Sequence, residues 1–535
     1  MTSHETTGCD VAIIGAGFAG LYAIYKARSL GLDPVCIEAA PDVGGVWYWN
    51  RYPGARCDVE SIDYSYSFDP ELQRDWRWSE RYATQPEILD YARHVADRYR
   101  LRRHIHFGER VLSARFDEDA ARWTVTTDAG RTISARWLIS AVGSLSAPVR
   151  PDIPGIDSFA GEVAFTATWP EQGVDYAGKR VAVIGTGSSG VQSIPIIARE
   201  AAHVTVFQRS ANYSVPALNR PIPDDEWQEL VENYPARRAK SLMSGGGSPH
   251  EAHPVPFAEV PEDERQRLFE DGWQKGGVLF AKVFQNQTAD PEINDAARVF
   301  AEDKIRAIVK DPEVARDLMP EDTPIGTKRI CTDSGYFQTF NRDNVTLVNL
   351  RRDPITEIVP GGIVTEAGLH EADILILATG FDAITGAVVR IDFEGPHGNR
   401  LAEDWADGPE TYLGLAVPGF PNLFNISGPG CPGVLANMVL GGEHQVGWVF
   451  EMIRAAEARG HRLIEARASA ARAWTDHVAE LADRTLFTKG NSWYLGANIE
   501  GKKRVFMPYI GGLGNYVTYC DQVRAAGYKG FVMGV

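Results

Sequence analysis

Two glycine turns, each set between a short apolar run and a helix-period stretch, constrain this chain more than any other feature. At the first, the run Cys9 to Ile14 leads into Gly15, Gly17, Phe18 and Gly20, and a periodic apolar stretch continues through Leu30 and stops at Gly31. A second run, Pro34 to Ile37, ends at Glu38. The same order returns at Arg180 to Ile184. It continues through Gly185, Thr186, Gly187, Ser188, Ser189 and Gly190, a helix-period stretch to about Ala201, and the run His203 to Phe207, which ends in Gln208 and Arg209. Strand, glycine turn, helix and strand make a βαβ unit. The first glycine makes the tight turn, the second lets backbone amides approach a pyrophosphate, and the third lets the helix pack on the strand. One such motif is weak, because glycine turns are common. Two complete units predict two dinucleotide sites with helix N-termini facing the phosphates, the alternative being two ordinary βαβ turns.

The residue closing each unit separates the two sites. Glu38 lies about 20 residues after its glycines, where a carboxylate holds a ribose hydroxyl and repels a 2′-phosphate, which suits FAD. Arg209 places a cation at the corresponding point, so the second site is expected to prefer NADPH to NADH.

The chain has 535 residues, enough for about three domains, with Lys+Arg 54 against Asp+Glu 71 and a net charge of −17. With no block of basic residues, it is expected to repel nucleic acid and anionic lipid, so an anionic ligand must be held by local Arg and Lys. No apolar run approaches the roughly 18 residues of a membrane span, and MTSHETTGCD lacks the pattern of a signal peptide. A cytoplasmic protein is expected. The six cysteines, Cys9, Cys36, Cys57, Cys331, Cys431 and Cys520, lie far apart and support neither a redox pair nor a zinc cluster. His104 and His106 are expected to alternate on a strand, but no third ligand is near, and no metal site is expected.

The organisation expected is α/β, with two dinucleotide-binding, Rossmann-like domains and a helical insertion. Residues 1–147 and 380–535 would form a discontinuous FAD-binding domain, residues 148–216 and 328–379 a discontinuous NADP-binding domain, and residues 217–327 the insertion. The insertion carries charged helix-period segments, Glu262 to Phe269 and Asp295 to Val309, and a glycine-rich loop, Ser244 to Ser248. Strand-like segments resume at Val345 to Leu350 and Asp373 to Leu377, ahead of Ala378, Thr379 and Gly380. The remainder has a Pro/Gly loop from Gly428 to Gly433, a long amphipathic helical stretch from about Leu435 to Asp483, and an aromatic, Gly-rich tail.

Between the two units, Gly44, Gly45, Val46, Trp47, Tyr48, Trp49, Asn50, Arg51, Tyr52, Pro53, Gly54, Ala55, Arg56, Cys57 and Asp58 resemble the GGxWxxxxYPGxxxD stretch of type I Baeyer-Villiger monooxygenases at every defining position. A second family signature, FxGxxxHxxxWP, is met by Phe159, Gly161, Trp169 and Pro170, but Phe165 stands at its histidine. The segments at Lys328 to Asn341, Ala378 to Phe381 and Ser492 to Gly496 are also similar to the family, in the flavour of its phenylacetone and steroid monooxygenase branch.

The resemblance implies that NADPH reduces FAD, that O2 adds to give a C4a-peroxyflavin, and that a hydrophobic ketone becomes an ester or lactone. It implies that Arg329 is the catalytic cation and Asp58 the carboxylate orienting it, and that Lys328 joins Arg209 on the NADP 2′-phosphate. Arginine suits that role because it stays charged and donates through a rigid fork. Without the flanking motif, Lys328 and Arg329 would read as a surface pair. The resemblance further places Phe18, Gly45, Val46, Trp47, Tyr48, Arg56, Asp58, Tyr64 and Val111 at the flavin and Trp493 at the nicotinamide nucleotide. Gly433, Val434, Leu435 and Met438 would line the substrate pocket. At Phe165 a phenyl ring offers no hydrogen bond or proton switch, so packing must carry the position. Three other readings remain: a flavin monooxygenase acting mainly on sulfides or amines, a disulfide reductase-like flavoprotein, disfavoured by the missing cysteine pair, and a non-enzymatic nucleotide sensor. The sequence leaves the physiological ketone, the selectivity and the oligomeric state open.

Overall fold

A computed structural model describes residues 6–321 and 323–534. Residues 1–5, 322 and 535, which belong to the expected domain ranges and in part to the N-terminal stretch read above for a signal, lie outside the described residues. Each glycine turn seeds a parallel sheet. Thr7–Ile14 pairs in parallel with Pro34–Glu38 on one side and Thr132–Ser140 on the other. Ile105–Phe107 extends the sheet beyond Pro34–Glu38. Thr132–Ser140, Arg122–Thr127 and Val111–Asp117 form an antiparallel wing. Two strands from far along the chain complete the sheet: Asp392–Glu394 beside Val111–Asp117, and Leu423–Asn425 beside the end of Thr132–Ser140. Val11, Ala12 and Ile13 are fully buried, as expected of a parallel strand covered on both faces.

The second sheet is parallel throughout, in the order Val345–Asn349, His203–Gln208, Arg180–Ile184, Ile374–Leu377 and Glu162–Phe165. Both turns need their glycines. Gly15 has φ +100° and Gly185 φ +111°, a region that L side chains avoid. A Cβ on Gly20 would overlap the Gly15 carbonyl, and one on Gly190 would meet the Gly185 carbonyl. The third glycine therefore lets the helices Phe18–Ser29 and Ser188–Glu200 lie on their strands.

Between the two halves of the second unit come the helices Asp224–Glu232, Tyr234–Leu242, Glu262–Lys275, Pro291–Ile308 and Pro312–Asp317; the first expected helical segment lies within a longer helix, and the second starts earlier than expected, at Pro291, and ends at Ile308, with Val309 as its C-cap. Asp290 and Asp311 cap the last two through their side chains. Phe269, Trp273, Phe280 and Phe284 give this region its own core. Tyr234–Leu242 is tied to the first unit, because Arg237 bonds Asp63 through Nε at 2.9 Å and Nη2 at 2.6 Å and also reaches Glu60.

Three expectations change. The stretch 435–483 is not one helix: Met438–Glu457 and Ala468–Asp483 flank a strand, Leu463–Ala466, which pairs antiparallel with Phe531–Gly534. Gly460, at φ +75°, turns the chain between them. His104 lies in the turn Arg102–His104 and His106 on Ile105–Phe107, so the two do not share a strand face. Finally, between Val345–Asn349 and Ile374–Leu377, where the strand-like pattern is not resolved into separate strands, the chain forms an antiparallel meander of its own, Ile355–Val359, Gly362–Thr365 and Gly368–Glu371. Among the described residues, no helix is long and apolar enough to cross a membrane.

Candidate functional site

Ser214–Pro216 pairs in parallel with Cys331–Asp333, which brings the segment ahead of Cys331 back to the turn that carries Asp58. Arg329 meets Asp58 there, 271 residues away, through two parallel bonds: Nε to Oδ2 at 2.5 Å and Nη2 to Oδ1 at 2.7 Å. Its Nη1 donates to the Val434 carbonyl at 2.9 Å. The two side chains are 25% and 22% exposed, so the pair sits in a cleft and not in the core. Burial opposes the Arg329 charge, but the Asp58 carboxylate beside it outweighs that and holds its pKa above the usual arginine range. Tyr494, fully buried nearby, has its pKa pushed up to about 12, chiefly by burial. The sequence reading gave Tyr494 no role of its own, although it lies in the family-like segment Ser492 to Gly496 beside Trp493.

On the first unit's side, the Gly44–Gly45 turn lies against the glycine turn: a Cβ on Gly45 would come within 3.0 Å of the Gly17 Cα. Gly45 precedes the short helix Val46–Trp49. Trp47 Nε1 donates to the Tyr64 hydroxyl at 3.1 Å, and Phe18 lies 5.6 Å from the Tyr64 ring. Tyr48 is buried beside Ala40 and Leu89 under the Arg51 guanidinium. The Glu38 carboxylate accepts the Ala16 amide at 2.5 Å and the Ala40 amide at 2.7 Å. Burial raises its pKa, and the amide bonds act against that. Val111 is buried at the start of its strand. The Arg56 side chain points elsewhere, ion-paired with Glu80 at 3.4 Å.

On the second unit's side, Gln208, Arg209 and Lys328 line one open surface pocket, together with Asn349, Arg351 and Asn491. Burial lowers the Lys328 pKa, and the positive charge of Arg209 adds to the effect. Thr186 Oγ1 donates to the Ser210 carbonyl at 3.1 Å, and Ser188 Oγ lies 3.5 Å from Cys331 Sγ. The Tyr52 hydroxyl donates to Gln192 Oε1 at 2.8 Å, on the helix that begins at Ser188 and Ser189. Trp493, Leu435 and Met438 pack against the apolar cluster that holds Val434 and Tyr494, with the Trp493 and Tyr494 rings 4.2 Å apart. Gly433 opens the turn Gly433–Leu435, whose Val434 carbonyl holds Arg329. Phe165 is outside this cluster, part-buried at the end of the edge strand Glu162–Phe165 and packed on an apolar cluster that includes Phe159, Ile184 and Leu377.

The two nucleotide positions fit the groups their motifs imply. The helices Phe18–Ser29 and Ser188–Glu200 begin without a side-chain cap, leaving first-turn amides for an anion. A Cβ on Gly187 would meet nothing within 4 Å, so that turn faces open space. The buried Glu38 carboxylate keeps lone pairs for ribose hydroxyls. Arg209 and Lys328 share a pocket as a phosphate requires.

Residues 12–236 match the pyridine nucleotide-disulphide oxidoreductase family. A Baeyer-Villiger monooxygenase of Pseudooceanicola batsensis is 45% identical over 99% of this chain and 97% of its own length. An oxidized steroid monooxygenase bound to NADP superposes with a TM-score of 0.95 at 55% identity, over 99% of this chain and 100% of that one. Cyclohexanone monooxygenase from Rhodococcus sp. Phi1, bound to NADP+, superposes with a TM-score of 0.97 at 43% identity, again over 99% and 100%. With such likeness over 99% of its length, the chain belongs to the Baeyer-Villiger monooxygenases.

Proposed function

We propose that this chain is an FAD-containing, NADPH- and O2-dependent monooxygenase that converts hydrophobic ketones to esters or lactones. One ketone, one O2, one NADPH and one proton yield one ester, one water and one NADP+. The observation that carries this reading over sulfide or amine oxygenation is the Asp58–Arg329 fork facing the apolar Val434–Leu435 turn. A permanent, fixed cation serves a reaction in which negative charge builds on a carbonyl oxygen, whereas a sulfide develops no such charge.

The domain assignment proposed is residues 1–147 and 380–535 for FAD, 148–216 and 328–379 for NADP, and 217–327 as the helical insertion. The late strands Asp392–Glu394 and Leu423–Asn425 support it by joining the first sheet, and Val345–Asn349 and Ile374–Leu377 by joining the second. FAD would lie on the Gly15–Gly20 turn with its ribose on Glu38 and its ring system toward Trp47, Tyr64 and Asp58. It supplies the two-electron activation of O2. NADPH would lie on the Gly185–Gly190 turn, with its 2′-phosphate between Arg209 and Lys328. Asp58 holds Arg329 in one orientation, so its donors are set before the substrate arrives. Val434, Leu435 and Met438 exclude water and favour an apolar ketone. Six buried thiols fit a reducing compartment such as the cytoplasm.

The test is a ketone panel, linear, cyclic, aryl and steroid, given to the yellow holoenzyme with NADPH, with ester, NADPH and O2 all measured. Ester in proportion to NADPH is the expected result. NADPH oxidation that yields only hydrogen peroxide with every ketone, or sulfoxide as the sole product, would overturn the reading.

A further inference from the structure

A second cation stands in the same cleft, and the reaction as described does not use it. Lys282 ends the turn Gly277–Lys282 of the helical insertion, which packs on the strands Ser214–Pro216 and Cys331–Asp333 just after Arg329. Two further segments meet near its ammonium. The glycine loop 244–248 brings Gly246 so close that a Cβ there would strike Lys282 Nζ. The same Cβ would lie 4.0 Å from the Leu435 carbonyl of the apolar turn. The Asn437 amide donates to the Gly246 carbonyl at 3.1 Å, which fastens the loop to that turn.

Lys282 is exposed, and no carboxylate pairs with it among the described residues. The charge it feels is a like one, Arg329: crowding lowers its pKa first, and Arg329 adds to that. Arg329 has Asp58, whereas Lys282 has three donors and no acceptor among the described residues. An exposed ammonium beside another cation keeps its water, and an anionic group placed near it gains a charge-assisted hydrogen bond. In a chain of net charge −17, whose lysines and arginines have many carboxylates to choose from, an unmatched lysine at a substrate cleft is set apart by position.

We propose that Lys282 is a specificity-determining residue that receives the carboxylate of a keto acid whose carbonyl lies at Arg329. The preferred substrates are then ketones carrying an anionic group at the end remote from the reacting carbonyl, with an apolar stretch between them along Val434 and Leu435. Gly246 is the companion feature, since any side chain there would displace the ammonium. This inference rests on the ketone reading of the cleft and adds the charge class of the substrate.

The experiment uses the holoenzyme with 5-oxohexanoate and its methyl ester, which share a skeleton and differ in charge. Each is titrated by the change in flavin absorbance, which needs no turnover, and each is then assayed for kcat/KM. The unmodified enzyme is expected to favour the acid. Lys282→Gln lowers the acid-to-ester ratio about tenfold, the scale of one charge-assisted hydrogen bond. Lys282→Arg restores most of it, and FAD content, the KM for NADPH and kcat/KM for the ester stay within about twofold. An unchanged ratio in Lys282→Gln, an equal loss for acid and ester, or an effect confined to the KM for NADPH would each overturn the proposal. If acid binding depends on Lys282 but no ketone is oxygenated, the binding role stands and the ketone reading falls.

Discussion

Arg329→Ala separates what the arginine does for the fold from what it does for the reaction. The substitution deletes two bonds to Asp58, at 2.5 and 2.7 Å, and one to the Val434 carbonyl at 2.9 Å. An unpartnered carboxylate costs about 1–3 kcal/mol when buried. Here both partners are about a quarter exposed, so water screens part of that and the low end applies, about 1–2 kcal/mol. In a chain of this length that shifts the melting temperature by only about 1–2 °C and leaves FAD bound. The reaction loses more. A preorganised charge partner for a developing oxyanion contributes about 3–4 kcal/mol, so ester formation falls about 10²- to 10³-fold. Flavin reduction by NADPH, which develops no oxyanion, stays within about fivefold. The assay is rapid mixing for the reductive step and product analysis against NADPH consumed for the oxygenation step. Arg329→Lys keeps the charge but cannot make the paired bonds, so it falls between the two. An Arg329→Ala enzyme with full ester yield, or one whose flavin reduction and ester formation fall together, would refute the reasoning.

Arg209→Ala and Lys328→Ala are each expected to raise the KM for NADPH about tenfold or more with little change for NADH, because one phosphate-binding cation is lost from a shared pocket. Steady-state kinetics with both nucleotides checks this, and equal use of NADH and NADPH by the unmodified enzyme would refute the second-site assignment. Phe165→His places a titrating ring at the end of the edge strand, against an apolar cluster. It should change the ratio of ester to NADPH consumed, or its pH dependence, more than it changes FAD content. Ester formation that appears only in the histidine variant would mean that Phe165 had removed the activity. His444 gives a pH prediction: burial lowers its pKa from 6.5 to about 4. Below pH 6.5 the unfolded chain binds a proton that the folded one refuses, so stability falls on acidification from 6.5 to about 4, by up to roughly 3 kcal/mol. Thermal melts of His444→Leu across that window should show a flatter loss than the unmodified protein, and parallel curves would refute it.

The order of residues was sufficient for both nucleotide units, because their signal is local. Gly15, Gly17 and Gly20 sit within one turn, and so do Gly185, Gly187 and Gly190, where a positive φ at Gly15 and Gly185 and a backbone contact at Gly20 and Gly190 leave no room for a Cβ. The break of the stretch 435–483 was not legible, since the strand Leu463–Ala466 exists only through its partner Phe531–Gly534, about 70 residues on. Edge strands of this kind draw their stability from pairing, and short apolar runs do not state their partners. The same limit applied to the cleft. Arg329 and Asp58 could be named from motifs, but their paired bonds, the Val434 carbonyl on Nη1 and the direction of Arg56 toward Glu80 depend on how separate segments meet. Lys282 is the clearest case. In the sequence it is one lysine in a helical insertion, and only the convergence of its turn with the Gly246 loop and the Leu435 carbonyl gives it an address. Local backbone chemistry is written along the chain, whereas the charge balance of a cleft is set by side chains that tertiary packing brings within a few ångströms of one another.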